Sequence, residues 1–354
     1  MLLVPLSFTN ATIVQFSSSL KVHHQLRLAA TSSQGSLPSS SSWRRATSSD
    51  SHSETSESAD RRWDSLGFNP VQTDYMYVMK SSEDGSFADG GLRRYGNIEI
   101  IPAAAVLNYG QGIIEGLKAY KKQNGSIILF RPEENGLRLR VGAERLCMPA
   151  PTIEQFVEAV KSTVLANKRW VPPPDKGFLH IRPLLLGNGP VLSLTTAPEF
   201  TFLIYVTPVG NYFEGGLKPI NLVVENETHR AAPGGVGSIK AIGNYAGNNT
   251  ISTPTLGGTI LPGVTRKSII AIALSQGFQV EERLVSVEEL SDADEVFCSE
   301  NALCVLPVGS ITYMDKRVDY EESGFVVSQQ LYSALTNIQM GLTEDIMGWT
   351  TVLE

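Results

Sequence analysis

The chain is 354 residues long, a length that accommodates about two domains of ~150 residues and one additional segment. Its apolar fraction of 42% and mean hydropathy of −0.04 are typical of a water-soluble protein of enzyme size. No apolar run is long enough to span a bilayer, so we expect no membrane contact. Three cysteines without a CxxC spacing argue against a disulfide framework and a structural zinc site. The few histidines make any other metal site unexpected.

The first 49 residues differ in composition from the rest. They contain four basic residues, no acid, and serine runs at 17–19 and 39–42. A basic, serine-rich, acid-free N-terminus is typical of an organelle transit peptide; a disordered tail without a targeting role is the alternative. With the polar linker that follows, we expect residues 1–60 to be disordered. The remaining chain carries 25 basic and 36 acidic residues, which makes nucleic acid an improbable partner.

From Trp63 onward, the apolar pattern indicates a mixed α/β protein. Strands are predicted at 75–79, 97–101, 126–130, 179–186, 200–207, 220–225, 278–283, 295–298 and 303–307. Helices are predicted at 133–145, 152–168, 264–275 and 326–340, with Thr152 as a candidate N-cap. A turn-rich segment at 209–218 separates a predicted N-terminal α/β domain (61–208) from a C-terminal domain (219–354).

One lysine stands in an unusual setting. The stretch RAAPGGVGSIKAIGNY, residues 230–245, places Lys240 just after three glycines. Glycine lets a ligand approach the backbone closely. A lysine held in such a place can be desolvated, which lowers its pKa and makes it a nucleophile able to form a Schiff base. A solvated lysine on a flexible loop is the alternative.

Two further features suit a phosphate group. Val264 and Thr265 begin a predicted helix after Gly263, and a helix N-terminus binds anions; Thr265 acting only as a cap is the alternative. Arg131 directly follows a strand, where its guanidinium can fork onto a phosphate, unless it is simply exposed. A Schiff-base lysine together with a phosphate cradle is what pyridoxal phosphate requires.

The chain from Trp63 to its end resembles the plant-type branched-chain amino acid aminotransferases. The resemblance is carried, in the family's order, by segments that include TDYMYVMK, LNYGQGIIEGLKAY, LFRPEEN, GAERLCMP, IRPLL, YVTPVGNYF, HRAAPGG, IGNY, GTILPGVTRKSI and VSQQLYSALTNIQMGL. It implies the α/β fold of fold-type IV enzymes: a smaller N-terminal domain, a larger C-terminal cofactor-binding domain, and a homodimer. It also implies a plastid enzyme, with the mitochondrion as alternative.

The resemblance also assigns roles to particular residues. Lys240 is similar to the catalytic Schiff-base lysine. Five residues match positions that contact pyridoxal 5'-phosphate: Arg131, Tyr245, Val264, Thr265 and Asn301. Four match positions around the substrate: Tyr109, Arg182, Tyr212 and Ala302.

The sequence departs from the family pattern at four places. After Ala246 the family continues with several dozen residues, including a glutamate that pairs with the pyridine nitrogen, and these are missing here. Glu300 and Asn301 replace a Gly-Thr-type phosphate turn, and Glu300 would repel a phosphate that it faced. Ile114 replaces an aromatic residue, and His180 stands where the family has tyrosine.

The resulting hypothesis is a transaminase that exchanges the amino group of leucine, isoleucine or valine with 2-oxoglutarate. Two alternatives remain. One is an impaired splice-type variant that acts at most as a dimer partner, because the missing segment carries a carboxylate and core elements. The other is a different fold-type IV enzyme, such as a D-amino acid transaminase or a lyase.

Overall fold

The computed structural model describes residues 11–15, 63–81, 85–87, 90–193, 195–210, 218–224, 234–245, 260–320 and 324–353. The strands in these ranges are β1 Ala11–Gln15, β2 Tyr75–Lys80, β3 Gly91–Arg94, β4 Gly112–Ile114, β5 Leu117–Lys121, β6 Ile127–Phe130, β7 Phe178–Gly187, β8 Phe200–Val209, β9 Ile220–Val223, β10 Glu295–Glu300, β11 Cys304–Tyr313, β12 Lys316–Asp319 and β13 Thr350–Leu353. The α-helices are α1 Ala105–Tyr109, α2 Pro132–Arg145, α3 Ile153–Ala166, α4 Val264–Ser275, α5 Val287–Ser291 and α6 Val326–Met340.

The first sheet is antiparallel and has the order β13-β6-β5-β7-β8-β2-β3, with β4 also paired to β7. Helix α3 packs on it through a stripe at helical spacing, Phe156, Val160 and Val164. The Phe156 ring lies 5.8 Å from that of Phe202 on β8. Thr152 caps α3 in a reciprocal capping box with Gln155, which confirms the predicted N-cap.

The second sheet has the order β1-β10-β11-β12, and β9 runs parallel to β11. Helices α4 and α6 cover it around a core that includes Ile269, Phe297 and Leu335. Both helices have the predicted bounds, 264–275 and 326–340. Mixed α/β architecture is therefore confirmed.

The last strand crosses between the two halves of the molecule. β13 pairs with β6 in the first sheet, although the predicted boundary places residues 219–354 in a C-terminal domain. The Trp349 ring, just before β13, meets the Phe130 ring edge-on at 5.8 Å. The division at 209–218 therefore does not hold for residues 350–353, because sheet pairing depends on distant partners rather than chain position.

Three local predictions were wrong. Residues 97–101 form no strand: Ile98 and Ile101 are exposed and Ile100 is only partly buried against the core, so this β-branched run buries too little surface to favour a strand. Residues 278–283 are also irregular, since Phe278 and Val280 pack against the helical core without a ladder partner in the described ranges. Residues 11–15, predicted to be disordered, form β1 beside β10, whose outer edge offers unpaired backbone groups to a β-branched segment.

Candidate active site

A cavity of about 270 Å³ lies where the two halves of the chain meet. This is slightly below the ~300–1,000 Å³ of typical ligand pockets. Its wall combines residues of both sheets and of α2 and α4: Ile114, Gly116, Leu117, Lys118, Phe130, Asn135, Arg138, His180, Arg182, Lys240, Leu261, Gly263, Val264, Thr265, Arg266, Ser299, Glu300, Asn301, Ala302 and Gln339. Six of the ten residues that the sequence singles out line it: Lys240, Arg182, Val264, Thr265, Asn301 and Ala302.

The backbone at Lys240 is fixed by β4. The Ile114 amide donates to the Lys240 carbonyl at 3.0 Å, and Ile113 forms a β-bridge with Ala241. Gly112 permits this approach, because a Cβ there would lie 2.9 Å from the Ile242 side chain. Lys240 is therefore held by a neighbouring strand rather than carried on a flexible loop.

The surroundings of Lys240 disfavour its charged form. Burial is the main cause, the Arg138 charge adds to it, and together they lower the pKa of Lys240 to about 8 although Glu115 and Glu300 oppose the shift. At neutral pH an appreciable fraction of the amine is consequently unprotonated, which is the form that attacks a carbonyl.

The start of α4 supplies an anion site on the same wall. Its N-cap is Gly263, and no side chain caps the helix, so the first-turn amides of Val264 and Thr265 are not taken by a capping side chain. Helix polarity favours negative charge here.

Arg131 lies next to this helix but does not line the cavity. Its guanidinium donates to Ser268 Oγ at 2.8 Å and to Glu134 at 2.9 Å, and it lies 4.7 Å from the centre of the Trp349 ring. Its backbone is left-handed, with φ of 48°. Its assignment to a phosphate therefore stays a prediction.

A buried ion pair supports the wall beneath Lys240. Glu115 is fully buried and receives two 2.7 Å hydrogen bonds from Arg138, a third from Asn135 at 2.7 Å and one from the Gly116 amide at 3.2 Å. Each carboxylate oxygen therefore accepts at least one hydrogen bond, so the hydrogen-bonding capacity of this buried group is used within the protein. The sequence analysis missed this cluster; its signal is a glutamate within the apolar run GIIEGL.

His180 and Arg182 lie side by side on β7. Arg182 Nη2 is 3.0 Å from His180 Nε2. Because a guanidinium only donates hydrogen bonds, Nε2 must be the acceptor and the ring proton resides on Nδ1. Burial, together with the charges of Arg182 and two lysines, lowers the pKa of His180 to about 3. His180 therefore presents a neutral imidazole to the cavity.

The turn between β10 and β11 forms the opposite wall. Asn301 Nδ2 donates to the Gly116 carbonyl at 3.0 Å, and Lys118 Nζ donates to the Ala302 carbonyl at 3.0 Å. Glu300 lines the cavity from the same turn, and burial raises the pKa of its carboxyl against the opposing charges of Lys118 and Lys240.

Two buried polar atoms of the cavity lining, one on β7 and one on β10, indicate that the cavity suits a polar ligand. Within the described ranges, Arg182 Nε and Ser299 Oγ have no hydrogen-bond partner, and leaving such a group unsatisfied costs about 1–3 kcal/mol. Together with Lys240 and the α4 N-terminus, these donors fit a small aldehyde that bears a phosphate. Glu300 is the one side chain of this set whose charge opposes such a ligand.

The remaining three predicted residues are not part of this wall. Tyr109 is half-exposed at the end of α1, and its hydroxyl donates to the Leu192 carbonyl at 2.8 Å. Tyr245 ends a short 3-10 helix, Ile242–Tyr245. Tyr212 lies outside the described residues.

The described helices include none that is long and apolar enough to cross a membrane. Within the same ranges, no group of three or more potential metal ligands is found.

Comparison with known proteins shows the class of enzyme to which this fold belongs. The family model for class IV amino-transferases matches residues 237–311, a range that begins at the last of the three glycines before Lys240. Solved branched-chain aminotransferases share the fold: one from Thermoproteus uzoniensis with norvaline has a TM-score of 0.64 at 23% identity, over 79% of this chain and 100% of its own. One from Thermobaculum terrenum in its PLP form has a TM-score of 0.64 at 19% identity, over 80% and 99%. The fold is therefore that of fold-type IV aminotransferases.

Sequence relatives narrow the assignment. Branched-chain amino acid aminotransferase 2, chloroplastic, of Humulus lupulus is 57% identical over 348 residues, covering 87% of this chain and 85% of that protein. Branched-chain-amino-acid aminotransferase 5, chloroplastic, of Arabidopsis thaliana is 56% identical over 345 residues, covering 86% and 83%. The chain belongs to the branched-chain amino acid aminotransferase family.

Proposed function

We propose that this chain is a pyridoxal 5'-phosphate-dependent transaminase that exchanges the amino group of leucine, isoleucine or valine with 2-oxoglutarate. The observation that carries the proposal is Lys240, which lines the same cavity as the N-terminus of α4 and whose pKa is lowered to about 8. The names of the relatives at 56–57% identity support the substrate class. The same names do not favour a D-amino acid transaminase or a lyase.

Each wall of the cavity has a proposed task. Lys240 Nζ is the group that would hold the cofactor through its aldehyde, with loss of water, and it would serve as the base for the proton at the substrate Cα, which its lowered pKa allows near neutral pH. The amides of Val264 and Thr265 hold the phosphate. When bound, the cofactor supplies an electron sink for the bond broken at Cα.

The substrate's polar and apolar ends meet different residues. We assign its carboxylate to Arg182, whose Nε has no partner among the residues that the structure describes, and to the turn at Asn301 and Ala302. The apolar side chain lies towards Ile114 and Leu117. Tyr109 and Tyr212 remain proposed substrate contacts, and Arg131 and Tyr245 remain proposed cofactor contacts.

We also propose that an internal segment is missing after Ala246. The alignment to the Humulus relative extends over 348 residues but covers 87% of 354, or about 308 residues of this chain. About 40 positions of the alignment thus have no counterpart here. A reduced turnover relative to the complete relatives follows, because the family's carboxylate for the pyridine nitrogen would lie in that segment.

The remaining proposals concern assembly and location. A homodimer is supported by apolar side chains exposed around α1: Leu107 and Tyr109 lie on this helix, and the Tyr109 hydroxyl donates to the carbonyl of Leu192, which is 93% exposed. A plastid location is supported by the chloroplastic relatives and by the basic, acid-free N-terminus.

The test is made on the purified full chain with added pyridoxal 5'-phosphate. We expect an absorbance band near the visible range and amino transfer from leucine to 2-oxoglutarate, both abolished by Lys240→Ala. Because the free amine is the reactive form, the rate at which the band develops should rise with pH through about 8 rather than near 10.4. Lys316→Ala, at an exposed lysine of β12, is the matched control. A band that survives in Lys240→Ala contradicts the proposal.

A further inference from the structure

Glu300 brings a negative charge into a cavity that is otherwise cationic. It lies at the end of β10, and no other Asp or Glu of the described ranges lines the cavity. The charges of Lys118 and Lys240 act on its carboxyl. Any ligand in the cavity therefore meets one carboxylate as well as the lysines.

The other charged groups on the wall come from every surrounding element: Lys118 on β5, Arg138 on α2, His180 and Arg182 on β7, Lys240 before the 3-10 helix, and Arg266 on α4. Arg138 is paired with Glu115 and Arg266 with Glu282 at 2.7 Å. His180 stays neutral, with its pKa at about 3. The charges left to face a ligand are thus those of Lys118, Arg182, Lys240 and Glu300.

The size of the cavity determines how strongly the Glu300 carboxylate repels an anionic ligand. A sphere of about 270 Å³ is roughly 8 Å across, and at that distance two like charges in a medium of effective dielectric constant ~20 repel enough to change affinity more than tenfold. Protonation of Glu300 removes the repulsion, and burial already favours the protonated form by raising the pKa of this carboxyl.

We propose that Glu300 makes anion binding in this cavity proton-linked: a phosphate- or carboxylate-bearing ligand binds together with one proton, which Glu300 holds. The inference rests on the proposed function and deepens it, because both the cofactor and the amino acid are anionic. A bound anion raises the pKa of Glu300 further. The affinity for the anion therefore falls as pH rises above the pKa that Glu300 has in the free protein. It stops falling once pH exceeds the higher pKa that Glu300 has in the complex.

The other titrating groups act in different pH ranges. Lys240, whose pKa is lowered to about 8, loses its charge and weakens anion binding only as pH passes that value. His180 does not titrate above pH 5. Between the pH ranges in which His180 and Lys240 titrate, a pH dependence of affinity that Glu300→Gln abolishes therefore reports on Glu300, because comparison with the variant cancels the ionisation of the ligand itself.

The experiment is calorimetric titration of the full chain, its Glu300→Gln variant and a charge-matched control, Glu288→Gln, at an exposed residue of α5. Inorganic phosphate and 4-methylvalerate are the anionic probes, and pyridoxal, which lacks the phosphate and carries no net charge near neutral pH, is the reference. Below the pH at which Lys240 titrates, we expect Glu300→Gln to bind the anions about tenfold more tightly than the unmodified chain and Glu288→Gln. The difference should shrink as pH falls and Glu300 takes up a proton, and pyridoxal should bind all three proteins alike.

Comparison of the two anions shows which anionic group, the phosphate of the cofactor or the carboxylate of the substrate, binds beside Glu300. A change confined to phosphate assigns the effect to the cofactor, and a change confined to 4-methylvalerate assigns it to the substrate. Equal affinities in Glu300→Gln and the unmodified chain across the pH range overturn the proposal, as does weaker binding in the variant. Glu300→Ala, checked by its thermal transition, is a second variant without the carboxylate. If no Lys240-dependent band forms while Glu300→Gln still tightens phosphate binding, the proposed function fails and this inference stands.

Discussion

Arg138 illustrates how a single side chain determines both stability and the electrostatics of the site. Its bidentate pair with Glu115 is almost fully buried, with side-chain exposures of 10% and 0%. Removing one partner of such a pair leaves a buried charge without compensation. The same guanidinium also contributes to the lowered pKa of Lys240. Replacing Arg138 should therefore affect folding and the reactive lysine together.

We expect Arg138→Ala to lower the free energy of unfolding by about 3–5 kcal/mol, because Glu115 loses its ion-pair partner and the two hydrogen bonds that Arg138 donates. Denaturant titration followed by circular dichroism measures this. Arg140→Ala on the same helix is the control: Arg140 is exposed and lies 3.9 Å from Glu144, so its loss should cost no more than about 0.5 kcal/mol. If both variants lost a similar free energy of unfolding, the buried pair would contribute no more to stability than an exposed arginine does.

At the scale of elements, α6 depends on a residue that lies outside it. Its N-cap Phe325 makes no side-chain cap. Instead the buried Glu295 of β10 accepts hydrogen bonds from the amides of Val327 at 2.9 Å and Ser328 at 2.7 Å. A carboxylate at a helix N-terminus satisfies orphan amides and complements the helix dipole. This joins the helix to the second sheet.

Glu295→Ala should lower the free energy of unfolding by about 2–4 kcal/mol, because two charge-assisted bonds to buried amides are lost. Glu289→Ala removes the exposed capping-box glutamate of α5 and should cost about 0.5–1 kcal/mol. Hydrogen exchange at the first turn of α6 should accelerate only in Glu295→Ala. Unchanged exchange there would mean that the strand carboxylate does not hold the helix.

At the scale of the whole molecule, the proposed internal gap and the proposed homodimer can be tested together. We expect insertion of the Humulus segment after Ala246 to raise the thermal midpoint by at least ~5 °C, since it restores apolar burial, and to increase amino transfer. Sedimentation equilibrium should give a molecular mass of twice 38.5 kDa for the present chain, and a correspondingly larger mass for the dimer after insertion. An unchanged midpoint would argue that nothing structural is missing, and a monomer in both cases would exclude the homodimer.

The sequence alone determined the features that are encoded over short distances. The bounds of α4 and α6 and the Thr152 cap depend on residues within a few positions of one another, and motifs spread from Trp63 to the end of the chain predicted the family. A helix cap and an apolar repeat each extend over only a few turns of helix, so a short stretch of sequence is enough to predict them.

Only the tertiary structure decided which distant side chains meet. It paired Glu115 with Arg138, directed Arg131 to Ser268, turned Glu300 towards the lysines, and placed β13 in the first sheet. These contacts join residues that are about 20 to more than 200 positions apart. They form because packing brings buried charges and strand edges to the partners that satisfy them, and a one-dimensional pattern does not specify that geometry.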